Sequence, residues 1–201
     1  MNAPAKLEIQ RLTSNMLDEI LRIHLAGMGY SLNARLGRNH LKYLYTVMAA
    51  DPDCYVGVAL KDGRPAGVVS GAVDAVKFAG KLMGRMPARR LLWIAFQMLF
   101  HPGLIWLWVQ GNAIARPVLA NAAEVRAVLT AIVVDSQIQS HGVGRALVLA
   151  FEGFLREAGV QTYRLDTRIE NLRAADFYRN LGFAEVARRA DSIIFVRNLP
   201  A

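Results

Sequence analysis

Along most of the chain, apolar residues recur at one of two spacings, and each spacing predicts a different backbone. Residues 7–12 alternate between apolar and polar with period two, which is typical of a half-buried strand. Apolar, β-rich runs predict further strands at residues 55–60, 66–73, 125–134, 162–167, 183–190 and 192–199. Helical spacing between capping and breaking residues predicts helices at residues 14–28, 36–50, 145–158 and 171–181. The pattern therefore predicts an α/β fold, with a tight hairpin at Asp62-Gly63.

The composition predicts one folded domain that covers residues 1–201. With 201 residues, 54% apolar and 20% charged, the chain can bury a core and is not of the disordered class. Its one cysteine, Cys54, excludes a disulfide framework and a cysteine-based zinc site, and no H-E-x-x-H or comparable metal spacing is present. We therefore expect no metal. The cysteine content and the lack of a signal peptide indicate a reducing compartment, the cytoplasm.

Positive charge is concentrated in one segment. The net charge of +8 predicts an anionic partner, and residues 75–123 contain six basic and no acidic residues. Residues 91–109 of this segment form a long apolar run that is broken at His101-Pro102-Gly103. Pro87 is well placed to open a helix over residues 89–100, and a shorter apolar helix is predicted over residues 104–110. We call residues 75–123 the insert; its basic residues are Lys77, Lys81, Arg85, Arg89, Arg90 and Arg116.

A glycine-containing loop, Gln139-Ser140-His141-Gly142-Val143-Gly144, joins a buried strand to an amphipathic helix. Glycine permits close approach of a ligand, and the unpaired N–H groups at a helix N-terminus attract anions. Arg145, at the start of the helix, adds a charged donor. The loop predicts a phosphate or pyrophosphate site, with a plain strand-to-helix turn as the alternative. It lacks the third glycine of a dinucleotide fingerprint and the lysine of a nucleoside-triphosphate loop.

Two segments together resemble the GNAT N-acyltransferase superfamily. Residues 132–147 resemble its acyl-CoA-binding motif, in which a strand and a short turn precede [RQ]-x-x-G-x-[GA] at the start of a helix. Asn171-Leu172-Arg173-Ala174-Ala175-Asp176-Phe177-Tyr178-Arg179-Asn180-Leu181-Gly182-Phe183 resembles its second signature, N-x-x-A-x-x-F-Y-x-x-x-G-F. The resemblance covers residues 6–74 and 123–199. It implies the GNAT fold, a central mixed and mostly antiparallel sheet flanked by helices, with the insert before the central strand.

The resemblance also implies roles for individual residues. The backbone of Ile132, Val133 and Val134 would bind the pantetheine of acetyl-CoA, the acyl donor. Asn171 would lie near the same arm of the donor, and the Tyr178 hydroxyl would act as general acid for the departing thiolate. Helical spacing alone would make Tyr178 a packing residue. The residues implied to cradle the pyrophosphate are Gln139, Ser140, His141, Gly142, Val143, Gly144 and Arg145.

No general base can be assigned from the sequence. Members of the family often carry a carboxylate on the central strand, near the position that Thr130 occupies here. Glu124 lies at the start of that strand, and Asp166 lies on the next one and faces an unknown direction. His24 lies on an apolar helix face, where a satisfied core histidine is the more ordinary interpretation.

Four interpretations of the insert remain open. It could be a lid over the acceptor site, with basic residues at its rim, or a dimer interface. It could dock on an anionic membrane, with Trp93, Trp106 and Trp108 at the interface. It could also form a pocket for a long acyl or lipid-linked group and contact an acidic carrier protein or a phosphate. We favour the lid; a simple span is disfavoured because the proline-glycine break leaves halves too short to cross a bilayer.

The sequence predicts an N-acetyltransferase that moves an acetyl (acyl) group from acyl-CoA to an amine by direct attack. The acceptor is expected to be a small or carrier-linked amine that carries negative charge. The alternative is a GNAT-like domain, non-catalytic or specific for long acyl groups, that binds acyl-CoA or acyl carrier protein. A nucleic-acid-binding module is disfavoured, because no recognition motif accompanies the basic residues. We expect a cytoplasmic protein, peripheral to the inner face of the membrane if the insert docks there.

Overall fold

A seven-stranded sheet forms the centre of the structure. The computed structural model describes residues 7–101, 103–105, 118–120, 123–138 and 142–200, and the structural statements below concern those residues. In spatial order, the strands of the sheet are β1 (Leu7–Arg11), β2 (Cys54–Lys61), β3 (Arg64–Ala72), β6 (Ala127–Val134), β7 (Thr162–Arg168), β9 (Ser192–Asn198) and β8 (Ala184–Arg188). A separate hairpin consists of β4 (Val118–Ala120) and β5 (Ala123–Val125).

Helices cover both faces of this sheet. They are α1 (Leu17–Met28), α2 (Leu32–Arg35), α3 (Arg38–Ala50), α4 (Ala75–Arg85), α5 (Ala88–Phe100), α6 (Val143–Glu157) and α7 (Leu172–Asn180). On one face, α6 and α7 pack in a core that contains Leu147 and Phe151. On the other face, α1 and α3 pack in a second core that contains Ile20 and Leu41. Each of the four helices α1, α3, α6 and α7 buries one apolar stripe, which explains why helical spacing located these four in the sequence.

The sheet splits beside its central strand. All neighbouring strands are antiparallel except β6 and β7, which are parallel, so the mixed and mostly antiparallel sheet is confirmed. Among the described residues, the ladder between β6 and β7 covers Ala127 and Val128, near the start of both strands. β6 remains paired with β3 as far as Val134. The strand is therefore held along one edge and faces a gap along the other.

A β-bulge lies at the point where this gap begins. Ser70 of β3 pairs with Ala131 and Gly71 pairs with Leu129, so Thr130 is the extra residue on β6. The Thr130 hydroxyl donates to the carbonyl oxygen of Ser70 over 3.0 Å. The bulge places a hydroxyl at the position where the family often carries a carboxylate.

Several element boundaries differ from the prediction. A 3₁₀ turn at Ser14–Met16 precedes α1, and α6 begins at Val143 rather than Arg145. The short helix α2 and the whole of α4 were not predicted. Pro87 is the N-cap of α5, as its position in the sequence suggested.

Three of the six basic residues of the insert are paired with carboxylates, and the expected position of the basic residues at the rim of a lid stays a prediction. Lys81 Nζ lies 3.0 Å from Asp51 Oδ1 and 2.8 Å from Asp53 Oδ2. Lys77 and Arg85, one helical turn to either side on α4, pair with Asp53 at 2.9 Å and with Asp51 at 3.5 Å. The three basic residues share one face because they are four residues apart. They neutralise the two acidic residues that precede β2.

α5 presents an apolar surface. None of its residues is buried, and Leu92, Phe96 and Leu99 are 71, 57 and 76% exposed. Within the described residues, no helix is long and apolar enough to cross a membrane. Trp106 and Trp108 lie outside the described residues. The dimer-interface and membrane-docking interpretations of the insert stay predictions.

Candidate functional site

A cavity of about 1150 Å³ lies where β6 and β7 separate. One part of its wall consists of β6, of α7 and of the first residues of α6. Another part consists of residues from α1, α2 and α3. α4 adds Phe78, Ala79 and Leu82 to the lining. The insert therefore borders the cavity through the helix that the sequence analysis missed.

The N-terminus of α6 faces this cavity. Gly142 is the N-cap of the helix and has φ of 75°, in the left-handed region that favours glycine. A Cβ atom at Gly142 would meet no atom within 4 Å, so the space beside it is open. Gly142, Val143, Gly144 and Arg145 all line the cavity. Because the first N–H groups of a helix have no intrahelical acceptor, this end offers donors and a positive dipole to an anion.

Gly144 has a different structural role from Gly142. A Cβ atom at Gly144 would lie 3.1 Å from Cζ of Phe177, so the glycine lets α6 pack closely against α7. The packing interpretation of the loop therefore applies to Gly144, whereas Gly142 leaves the space that a phosphate group needs. Gln139, Ser140 and His141 lie outside the described residues.

Asp135 fixes the start of the same loop, a role that the sequence analysis missed. Its Oδ1 accepts a hydrogen bond from the backbone N–H of Gln137 over 3.0 Å. Its Oδ2 accepts one from Arg22 of α1 over 2.5 Å. These two bonds hold the pKa of Asp135 below its usual value, and they tie α1 to the end of β6.

Ile132, Val133 and Val134 all line the cavity. They lie on the part of β6 that is beyond its pairing with β7. An extended strand at the edge of a gap can pair its backbone with the amide groups of an extended ligand. The structure thus brings the predicted strand residues and the N-terminus of α6 together around one space.

Asn171 and Tyr178 also line the cavity. The Asn171 side chain accepts a hydrogen bond from the backbone N–H of Ala174 over 3.1 Å and so caps α7. Tyr178 is 5% exposed and its ring packs against those of Phe183 and Phe195. Burial raises the pKa of Tyr178, so its hydroxyl stays protonated. Tyr178 combines the packing role of its helical stripe with a position at the cavity.

Of the two carboxylates considered as bases, Asp166 lines the cavity and Glu124 does not. Asp166 lies 3.3 Å from Arg164 Nη1 and 3.6 Å from Arg189 Nη1. Burial raises the pKa of Asp166, although both arginines act in the opposite direction. Glu124 lies on the β4–β5 hairpin and pairs with Arg126 at 2.7 Å. Both carboxylates thus lie within ion-pair distance of guanidinium groups, although Asp166 Oδ2 has no hydrogen-bond partner among the described residues.

His24 is buried, as predicted, but it is only half satisfied. Its Nδ1 lies 2.7 Å from Tyr45 Oη, whereas its Nε2 has no hydrogen-bond partner in the part of the chain that the structure describes. Burial lowers the pKa of His24 to about 4, so the ring is neutral near pH 7. His24, Tyr45 and Ser70 all line the cavity. The sequence analysis missed Tyr45 and Ser70, because an apolar pattern does not show which buried hydroxyls meet.

Comparison with known proteins decides the family. Residues 17–183 match the family described as the acetyltransferase (GNAT) family. The chain belongs to this family. The resemblance carried by the two segments is therefore confirmed, and so is the GNAT fold. Within the described residues, this GNAT protein has no cluster of three or more His, Cys, Asp or Glu side chains suited to a metal ion.

Individual relatives agree with the family assignment. An aminoglycoside N(6')-acetyltransferase type 1 from Stenotrophomonas maltophilia is 40% identical over 55 residues, which is 27% of this chain and 36% of that protein. The PaiA N-acetyltransferase of Thermoplasma acidophilum, solved with coenzyme A, has a TM-score of 0.63 at 12% identity, over 96% of this chain and 99% of that one. The ribosomal-protein-S18-alanine N-acetyltransferase of Escherichia coli has a TM-score of 0.59 at 18% identity, over 96% and 94%. At such low identities the two structures show a shared fold.

Proposed function

We propose that this GNAT protein transfers an acetyl group from acetyl-CoA to an amine by direct attack. The observation that carries the proposal is the cavity at the split in the sheet. It is lined on one side by the start of α6 and on another by Tyr178, whose hydroxyl stays protonated. Such an arrangement supports an anion site and a proton donor around one ligand.

The residues present fit acetyl-CoA. Open space beside Gly142 and the charged side chain of Arg145 suit the pyrophosphate, and the cavity-lining part of β6 beyond its pairing with β7 suits the pantetheine amides. Gly142, Val143, Gly144 and Arg145 would hold the phosphates, and Ile132, Val133 and Val134 would hold the arm. The donor supplies an acetyl thioester that is reactive toward amines. The protein's own task is then to orient the two reactants and to move protons.

Tyr178 would protonate the thiolate that leaves. The raised pKa keeps the proton on the Tyr178 oxygen near pH 7, so the hydroxyl can donate to the negative charge that develops on the departing sulfur. The close packing of its ring would hold that oxygen in one place. Asn171, occupied as the cap of α7, would act by fixing the start of the helix that carries Tyr178.

The acceptor is proposed to be an amine that also carries a negative charge. This expectation first relied on the insert, but Lys77, Lys81 and Arg85 are paired with carboxylates. Support now comes from arginines that line the cavity itself. They are Arg35 and Arg173, whereas Arg145 is assigned to the donor's phosphates and Arg168 and Arg189 pair with Glu170 and Asp166.

The proposal is tested by following CoA release from acetyl-CoA with a panel of amines. The panel contains an aminoglycoside, a peptide with N-terminal alanine, a polyamine and a phosphorylated amino sugar. Tyr178→Phe should lower kcat on the order of 10²-fold, the usual effect of losing one acid–base group, without weakening acetyl-CoA binding in calorimetry. Tyr43→Phe is the matched control, because this tyrosine lies on α3 outside the cavity lining.

Three outcomes are informative. A Tyr178→Phe variant as fast as the parent would assign Tyr178 to packing alone. Tight binding of acetyl-CoA without turnover of any amine would favour the non-catalytic alternative. Failure of acetyl-CoA to bind would contradict the proposal as a whole.

A further inference from the structure

Two hydrogen-bonded pairs of polar side chains lie beside the cavity. His24 Nδ1 lies 2.7 Å from Tyr45 Oη, and Ser70 Oγ lies 2.9 Å from Thr130 Oγ1. The Ser70 hydroxyl lowers the pKa of Tyr45, against the larger effect of burial, which raises it. His24, Tyr45 and Ser70 are at most 4% exposed, whereas Thr130 is exposed. All four residues line the cavity.

Thr130 donates its hydroxyl proton to the Ser70 carbonyl oxygen over 3.0 Å, so its Oγ1 accepts from Ser70 Oγ. The neutral ring of His24 can carry its proton on either nitrogen. With the proton on Nε2, Tyr45 would donate to Nδ1. With the proton on Nδ1, the ring donates to Tyr45 Oη and Nε2 has a free lone pair.

That lone pair has no partner among the described residues, although His24 is 4% exposed and lines the cavity. A buried polar atom without a partner is costly, and it persists in a native structure where a ligand or a reaction uses it. His40 shows that burial alone does not create such a site. It is also buried with one unpartnered nitrogen, but it lies outside the cavity lining.

We propose that His24 carries its proton on Nδ1, donates it to Tyr45 Oη, and accepts on Nε2 the proton that the acceptor amine releases. The inference rests on the proposed acyl transfer. As the amine nitrogen bonds to the acetyl carbon and the carbon–sulfur bond breaks, one N–H proton moves to Nε2. The imidazolium that forms passes this proton to water when the products leave, which restores the neutral ring and conserves the proton count.

This assignment names a base where the sequence analysis could not. Asp166 also lines the cavity, and its Oδ2 has no hydrogen-bond partner among the described residues, but Arg164 Nη1 and Arg189 Nη1 lie 3.3 and 3.6 Å from this carboxylate. Glu124 pairs with Arg126. His24 is a catalytic residue in this proposal, and Tyr45 is a positioning residue.

Kinetics on paired histidine variants test the proposal. His24→Asn retains a polar atom near the position of Nδ1 and removes Nε2. With the amine that the parent acetylates fastest, it should lower kcat on the order of 10²-fold and leave acetyl-CoA affinity unchanged. His40→Asn is the matched control and should retain the parent kcat. A His24→Asn variant as fast as the parent would overturn this inference alone, whereas a parent that acetylates no amine in the panel would overturn the proposed function with it.

The tautomer gives a second readout that does not depend on turnover or on a variant that folds. Long-range ¹H–¹⁵N correlation of the parent protein near pH 7, without acetyl-CoA, should show His24 protonated on Nδ1 and unprotonated on Nε2. Tyr45→Phe removes the acceptor of Nδ1–H and should raise the population of the Nε2–H tautomer. A parent ring protonated on Nε2 would overturn the proposal.

Discussion

At the scale of single residues, the proposed anion site depends on two different contributions from the start of α6. Gly142 provides space and a left-handed backbone, and Arg145 provides an exposed charge. Because exposed side chains contribute little to the core, Arg145 can be changed without disturbing the fold. Gly142 cannot, since any other residue would be strained at φ of 75°.

Arg145→Ala should therefore weaken acetyl-CoA binding selectively. Loss of one charge-assisted hydrogen bond costs about 1.5–3 kcal/mol, or roughly a tenfold to hundredfold rise in Kd. S-acetylpantetheine lacks the pyrophosphate, so its affinity should not change. Calorimetry on both ligands measures this difference, with Arg64→Ala in the β2–β3 hairpin as a control for net charge. Equal losses for the two ligands would place Arg145 away from the phosphates.

The pattern of apolar residues in the sequence does not show which charged residues are buried. Glu152 and Arg164 are both fully buried, against the rule that charged residues lie outside. Glu152 accepts a hydrogen bond from Tyr163 Oη over 2.8 Å and pairs with Arg197 Nε at 2.8 Å. Hydrogen bonds and ion pairs with distant parts of the chain stabilise these buried charges, and the sequence alone does not identify such partners. The half-satisfied state of His24 was hidden for the same reason.

At the scale of elements, the cavity depends on the close approach of α1 to β6. Gly27 lies inside α1, and a Cβ atom there would lie 2.4 Å from Cγ1 of Val133. The helix therefore sits closer to the strand than any side chain at position 27 would allow. This distance sets the width of the cavity between His24 and β6.

Gly27→Ala should destabilise the protein even though alanine favours helix. Overpacking against a stiff valine costs about 1–3 kcal/mol, more than the gain of up to about 1 kcal/mol from helix propensity. Gly153 in α6 is the matched control, because a Cβ atom there meets nothing within 4 Å. Gly153→Ala should stabilise by about 0.5–1 kcal/mol. Urea unfolding of both variants measures the contrast, and a stabilised Gly27→Ala protein would show that α1 can shift freely.

Elements with strong local signals were predicted, and those that rely on distant partners were not. The Asp62-Gly63 hairpin forms as expected, with φ of 51° and 77° at its two residues. α4 was missed because its face toward Asp51 and Asp53 is basic, which breaks the apolar stripe. The split between β6 and β7 has no local signal either, since it is a relation between two strands. Only the family resemblance anticipated it.

At the scale of the whole molecule, much of the uneven charge is compensated across the fold. The insert is basic throughout, and Asp51 and Asp53, just before β2, receive three of its charges. Asp51 is 3% exposed, and burial alone would raise its pKa. Hydrogen bonds from Lys81 and from the backbone N–H of Asp53 outweigh burial and lower it. This ion-pair cluster fastens α4 to the sheet and so helps to close the cavity wall.

The cluster should make folding stability sensitive to acid in a defined range. Hydrogen bonds from Lys81 and Lys77 lower the pKa of Asp53 from 3.8 to about 2 in the folded protein. A depressed folded-state pKa contributes stability that is complete above the unfolded value, and this contribution is lost as pH falls from about 4 to 2. Lys81→Met should thus be less stable than the parent near pH 7, and the difference between them should narrow across that range. Urea unfolding at a series of pH values measures the difference, with Lys42→Met on α3 as a control whose offset from the parent should not vary with pH. Parent and Lys81→Met curves that stay parallel down to pH 2 would show that the cluster does not hold α4 in place.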